Sequence, residues 1–364
     1  MELTKLSVFQ FRNFERQEIS FSSGTNLFVG RNGQGKTNLL EAIYLLGYGR
    51  SFRTSVPREC IQHGRTESAV EGTVRRGGLT RNLRVLFAAA EKKVLLHGKQ
   101  VDLDEFAGNL HILAFTQEHM KVVRGGPGER RAFLDRAMIL LFPGHMRYLS
   151  SYSRALKQRN RILSEASESG RSLDVTLLES WEEALIQNGA RILINRMRYA
   201  DQIKEQLPPG LFGSDTLKMH YLSTVPARNA DSDEIEREFR GRLQNARNLD
   251  QKTGYTSVGP HRDDLKLFVN GKSLTDFGSA GQQRSALLSL YFAQMEIHRN
   301  THSFYPVFLM DDAEAELDEP RLKTFLRYLE QRTQTFLTTA KESFFPPLVG
   351  GALETYRIDA GKVS

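Results

Sequence analysis

The stretch Phe28-Val29-Gly30-Arg31-Asn32-Gly33-Gln34-Gly35-Lys36-Thr37-Asn38-Leu39-Leu40-Glu41 reads FVGRNGQGKTNLLE. Gly30, Gly35, Lys36 and Thr37 fit G-x-x-x-x-G-K-[ST], the spacing of a loop whose backbone N–H groups cradle phosphates. The flanks agree with the motif. Apolar Leu27, Phe28 and Val29 predict a buried strand running into the loop, and Leu39, Leu40, Ile43 and Leu46 recur at helical spacing after it. The helix N-terminus and the loop Gly30, Arg31, Asn32, Gly33, Gln34 and Gly35 would thus face one anion. Lys36 is placed to reach the β and γ phosphates. The Thr37 hydroxyl is placed to ligate Mg²⁺, a hard cation that takes oxygen donors and keeps its waters. A bound nucleotide with Mg²⁺ is the expectation.

Composition narrows the setting. With 364 residues and 40% hydrophobic content, the chain can bury a substantial core and has room for two or three domains. Cys60 is the only cysteine, which excludes an internal disulfide and a multi-cysteine zinc site and suits a reducing compartment. The nine histidines show no metal-ligand spacing on this reading. The opening MELTKLSVFQFRNFE is charged throughout and lacks a secretory apolar core, and runs such as Ala137 to Phe142 are too short to span a bilayer. The expectation is a cytoplasmic protein with no membrane partner.

The net charge of +7 is compatible with a polyanionic partner, and its distribution is more informative than its total. Lys121 to Arg161 holds ten Lys or Arg, among them Arg130, Arg131, Arg154, Lys157, Arg159 and Arg161, against Glu129 and Asp135 alone. On a helix Arg154, Lys157 and Arg161 share one face, which could follow a phosphate backbone; a merely solvated helix face is the plain alternative.

Two further pieces lie far downstream. Pro306-Val307-Phe308-Leu309-Met310-Asp311-Asp312 is a short apolar run ending in paired carboxylates, as expected of a buried parallel strand whose C-terminal end faces a ligand. Asp311 would hold Mg²⁺ through water. Asp312, pointing the other way, would polarise the attacking water as a general base, which makes Lys36, Asp311 and Asp312 the expected catalytic set. Gly278-Ser279-Ala280-Gly281-Gln282-Gln283-Arg284 precedes a helical pattern from Ser285 to His298 and reads as a second anion site or as a plain helix-capping loop. It lies 30 positions before Asp311, and in order and distance it resembles the signature loop of ABC-type ATPases. That resemblance implies ATP bridging two copies of the chain, each nucleotide touching the cradle of one copy and Ser279, Gly281 and Gln282 of the other. Hydrolysis would then remove the bridging phosphate and loosen the dimer.

Over nearly its whole length the chain resembles the RecF family of bacterial recombination mediators, relatives of the SMC-type ABC ATPases. The blocks that carry the resemblance are Phe11-Arg12-Asn13-Phe14, Gly126 to Asp135 (GPGERRAFLD), Arg154 to Asn160 (RALKQRN) and Gly259 to Leu265 (GPHRDDL), besides the cradle. The resemblance implies an ATP-dependent DNA-binding homodimer with a weak, DNA-stimulated ATPase acting at gaps or single-strand to double-strand junctions. It also implies partnership with RecR and RecO, loading of RecA, a place in DNA repair and the SOS response, and an approach of Arg12 to a phosphate. The chain departs from the family at Ala315, where a serine is usual, and at Gln117, where proline is usual. After the next expected strand it offers Thr338 and Thr339 where many ABC ATPases have a histidine.

The fold class expected is α/β, an ABC-type ATPase head carrying an inserted α-helical lobe. Residues 1–122 would hold the cradle, 123–250 the helical lobe with polar breaks at Ser164 to Ser172 and at Pro208-Pro209-Gly210, and 251–364 the signature and acidic strand. Three rival functions remain on sequence grounds. A phosphotransferase acting on a small substrate leaves the signature loop unused. A transport ATPase subunit would place cradle and signature closer than the 246 positions between Gly35 and Gly281. An SMC-like chromosome organiser would need longer arms.

Overall fold

The computed structural model describes residues 1–88, 91–142, 144–169, 173–208, 215–227, 231–316, 319–330, 332–341 and 353–364. Two compact units emerge: Met1–His119 with Met295–Ser364, and Met120–Gln294. The expected break near 250 falls instead inside the helix Ser232–Thr253, and the second unit keeps the signature loop.

In the first unit the cradle strand Thr25–Val29 is buried at every position, because it lies in the middle of a parallel sheet. Its neighbours are Thr335–Thr339 on one side and Leu353–Asp359 on the other. Val307–Met310 and then Ile112–Phe115 extend the sheet beyond Thr335–Thr339, all in parallel register. The register sets Leu337 beside both Met310 and Leu27, so the cradle strand and the acidic strand end at the same edge with one strand between them. Phe28 and Phe336 stack at 6.1 Å between ring centroids, and the ring of Phe21 meets Phe336 edge-on at 4.8 Å.

A second, antiparallel sheet runs in the spatial order Phe14–Ser20, Glu2–Phe11, Glu67–Arg76, Leu79–Ala88, Glu91–Leu96, Lys99–Val101. Val70, Val74, Leu83, Val85 and Phe87 alternate inward from its middle strands. The cradle helix Lys36–Tyr48 touches both sheets, which explains a difference from the sequence reading. One apolar face at Leu39, Leu40, Ile43 and Leu46 was the expectation; nearly the whole helix is buried, including Glu41. Gly72 lets the helix approach, since a Cβ there would stand 2.3 Å from Leu46 Cδ1.

The second unit is built on three long helices, His145–Ser169, Val175–Gln206 and Ser232–Thr253. Tyr152, Ala155, Leu185, Ile186, Leu193, Phe239 and Leu243 form their shared core. The first of them runs through Ser164 to Ser169 without the expected break. The unit also holds Pro127–Leu141, the small sheet of Leu217–Leu222, Asp264–Val269 and Lys272–Ser273, and the start of the helix Ala280–His302, which passes into the first unit at Met295. No helix among the described residues is long and apolar enough to cross a membrane.

Candidate nucleotide site

The loop between Val29 and Lys36 is shaped by glycines that nothing else could replace. Gly30 lies so close to the neighbouring strand that a Cβ would stand 2.3 Å from the Ile358 carbonyl oxygen. Gly35, the residue before the helix, has φ 117°, a left-handed conformation, and a Cβ there would strike the Asn13 side chain at 2.7 Å. No side chain caps the helix start, so its first N–H groups stay directed along the axis, the arrangement that favours an anion. Arg31, Asn32 and Gly33 stand exposed at the rim.

Bracing of this loop was not visible in the sequence. Asn13 Nδ2 donates to Gln34 O at 2.8 Å, and Asn38 Nδ2 donates to Asn13 Oδ1 at 2.8 Å. From the C-terminal hairpin, Gly361 N donates to Gln34 O at 3.1 Å and Ala360 N to Gln34 Oε1 at 2.6 Å. Gln34 is therefore held by both ends of the chain. The buried Lys36 ammonium donates to Gly30 O at 2.7 Å and Arg31 O at 3.1 Å, so the cation is poised at the loop.

The structure brings Thr37 and Asp311 together: Thr37 Oγ1 donates to Asp311 Oδ2 at 2.9 Å. Thr338, on the strand between them, donates its hydroxyl to Asp311 Oδ1 at 2.7 Å and accepts the Asp312 N–H at 2.7 Å. A hydroxyl and a carboxylate at one point are the oxygen donors Mg²⁺ takes, and with the glycine cradle they fit a magnesium-bound triphosphate. Asp312 has φ 54°, an uncommon backbone state for a residue with a side chain. Burial, then the charges of Glu314 and Asp311, raise the Asp312 carboxyl above its ordinary value, with Lys36 opposing. A carboxylate so raised is a stronger base, as a water-polarising group needs.

Arg12, next to Asn13, is held by the cradle helix. Its Nε and Nη2 donate to the two oxygens of Glu41 at 2.9 and 2.6 Å. Glu41 is fully buried and also accepts the Ser51 hydroxyl. Beside this pair lies a cleft of about 510 Å³ whose lining includes Arg50, Ser51, Arg53 and Lys92, a basic pocket the sequence reading passed over. Burial pushes the Cys60 thiol there up to about 11, so it stays protonated near neutrality.

The signature loop caps its own helix. Ser279 Oγ accepts from Gln282 N at 3.2 Å while Gln282 Oε1 accepts from Ser279 N at 3.1 Å, a reciprocal capping box. Ser279 is exposed, Gly281 and Gln282 are half-buried, and Phe277 just before them is 73% exposed. The loop thus belongs to the second unit and the cradle to the first. Leu317 and Asp318, together with the side chains of Ala315, Glu316 and Gln117, lie outside the described residues.

Two of the expected DNA contacts are corrected. Arg159 is fully buried, donating to Glu182, to Asp250 at 2.7 Å and to Thr256 at 2.9 Å. Its place in the stripe Tyr152, Ala155, Arg159, Leu163 points it into the helical core, where only paired acids make a guanidinium tolerable. Arg130 is 4% exposed and forms a two-point pair with Asp264 at 2.7 and 3.0 Å. Arg131 is partly buried and donates to Asp263 O. Arg154, Lys157 and Arg161 are exposed, Arg161 beside Glu165.

A phosphate loop on a central parallel strand, an acidic strand one place removed and a capped signature helix define an ABC-type ATPase head. The family model for the RecF/RecN/SMC N terminal domain matches residues 2–348. The DNA replication and repair protein RecF of Halothermothrix orenii is 36% identical over 348 residues, covering 93% of this chain and 92% of its own. A solved structure of the recombination mediator RecF with an ATP analogue, in the RecFOR pathway, superposes with TM-score 0.91 at 32% identity, covering 100% of this chain and 97% of that one. A second, RecF with ATP, gives 0.88 at 30% identity, covering 100% and 98%. The chain belongs to the RecF family of DNA replication and repair proteins.

Proposed function

We propose that the chain binds ATP with Mg²⁺ and uses hydrolysis as a timer on a DNA-bound homodimer. The coupling of Thr37, Asp311 and Thr338 carries this reading, because it joins the phosphate loop, the acidic strand and the strand between them in one hydrogen-bonded set. Lys36 and the loop N–H groups would hold the phosphates, and Thr37 and Asp311 would hold the metal. Mg²⁺ bound there supplies charge neutralisation on the phosphates. Asp312 would orient and deprotonate the attacking water, and Arg12, aimed by Glu41, would sit beside the nucleotide. Ser279, Gly281 and Gln282 would meet the nucleotide of a second copy, which gives the exposed capping loop a purpose. The ATPase would be slow and stimulated by DNA.

The DNA would be gapped or a single-strand to double-strand junction, held in part by Arg154, Lys157 and Arg161. RecO and RecR would act with the dimer, and loading of RecA in the cytoplasm would be the outcome. What supports these partners is the likeness to RecF of the RecFOR pathway. The test is a titration of gapped, blunt and single-stranded DNA with and without ATP. Preference for the gapped form that depends on ATP is expected; equal affinity for all three without nucleotide dependence would overturn the reading.

A further inference from the structure

Three histidines meet in the first unit, away from the nucleotide site. His298 and His302 stand one turn apart on the helix Ala280–His302, and His111 directly precedes the strand Ile112–Phe115. Their ligand nitrogens all lie within 4.8 Å of one another. His111 and His298 are 4% and 2% exposed, and His302 is half-buried. The spacing His298-x-x-x-His302 was in the sequence, but its third member lies 187 positions earlier, beyond the reach of a spacing argument.

The hydrogen bonds fix where the lone pairs are. His111 Nε2 lies 2.9 Å from Gly108 O, and His298 Nδ1 lies 2.9 Å from Phe304 O. A carbonyl only accepts, so both of these nitrogens carry the proton. In neutral rings the other two, His111 Nδ1 and His298 Nε2, are then bare acceptors, yet they face each other at 2.5 Å. The facing lone pairs repel, and a cation shared by both rings, drawn apart to ligand spacing, would relieve that repulsion.

We propose that His111, His298 and His302 form a structural site for a divalent first-row transition ion, Zn²⁺ in the first instance. An all-imidazole donor set suits such ions and not Mg²⁺ or Ca²⁺. The two backbone carbonyls behind the rings are the outer partners that metal-bound imidazoles use to fix their tautomer. The ion would fasten the end of the helix Ala280–His302 to the start of the parallel sheet. There His111 O already accepts the N–H of Val307, the first residue of the strand that ends beside Asp311. Three neutral donors near Arg76 leave the ion's charge uncompensated, so affinity should fall below that of thiolate sites.

The test uses the full-length, tag-free chain at pH 7.5 in millimolar Mg²⁺, incubated with Zn²⁺ and passed through a desalting column before elemental analysis. About one Zn²⁺ per chain should remain, the thermal midpoint should rise by a few degrees on addition of Zn²⁺, and Co²⁺ should give the visible absorption of a tetrahedral site. His302→Ala, at the most exposed of the three positions, should abolish retention and the Co²⁺ spectrum while leaving ATP binding intact. His298→Gln should do the same. No retained ion in the unaltered chain, or retention undiminished in both variants, would overturn the proposal.

Discussion

The Thr338 hydroxyl donates to Asp311 Oδ1 at 2.7 Å and accepts the Asp312 N–H at 2.7 Å, so one side chain ties the Asp311 carboxylate to the Asp312 backbone at the end of the strand Val307–Met310. It stands on the strand Thr335–Thr339 beside the acidic strand and positions Asp311. Thr338→Val should therefore slow ATP hydrolysis by roughly 10–100-fold, the usual cost of losing an outer partner of a metal-binding carboxylate, while ATP affinity changes little. Thr338→Ser should restore most of the rate. Single-turnover kinetics with radiolabelled ATP would separate the two effects, and equal loss in both variants would mean the methyl group matters rather than the hydroxyl.

Asp312 gives a pH signature. With its carboxyl raised by burial, Glu314 and Asp311, the acidic limb of the hydrolysis profile should lie above the ordinary aspartate value. Asp312→Asn should remove that limb together with nearly all activity. The sign for stability is opposite: a charge disfavoured in the fold costs stability once pH rises above the raised pKa, so Asn should hold or increase the thermal midpoint at pH 7. A drop of several degrees in the Asn variant would assign Asp312 a structural role.

The helix His145–Ser169 predicts two kinds of arginine phenotype. Arg159→Ala leaves Asp250 buried without its cation, Glu182 keeping Arg247, and should cost about 3–5 kcal/mol in urea unfolding. Replacing Arg154, Lys157 and Arg161 together by Ala should leave the unfolding midpoint nearly unchanged. It should instead flatten the plot of log affinity for DNA against log salt, by up to about 2.7 in slope if all three touch phosphates. An unaltered slope would move the DNA surface elsewhere.

Gly35→Ala tests the cradle apart from its charge. The left-handed backbone and the Asn13 side chain both exclude a methyl group, so the loop must shift. A loss of nucleotide affinity of about 1–3 kcal/mol by calorimetry is expected, with the fold retained by circular dichroism. Unchanged affinity would place the phosphates away from Gly35.

The ATPase-head fold was legible because its parts are local. Gly30 to Thr37 and Val307 to Asp312 each announce a strand, a loop and a chemistry within a dozen residues. The partners of those residues were not legible, since Thr37 meets Asp311 across 274 positions and Leu3 N meets Gln334 across 331. Arg159 was legible in principle: Tyr152, Ala155, Leu163 and Ala166 mark the buried stripe it shares, but the local density of charge masks that periodicity. Arg130 likewise heads the buried stripe Phe133, Leu134, Ala137 and Met138, while its partner Asp264 comes from a strand 134 positions away. The unit boundary near 294 was hidden inside the continuous helix Ala280–His302, where nothing in the sequence marks a break.

The central claim is that ATP joins two copies of this chain through the cradle of one and Ser279 of the other. Light scattering of the Asp312→Asn variant with saturating ATP and Mg²⁺ tests it most directly. The account predicts a mass near twice the protomer's 41.4 kDa, returning to a single protomer when Ser279→Arg is added although ATP still binds. A single-protomer mass at saturating ATP, or a dimer that survives Ser279→Arg, would contradict it.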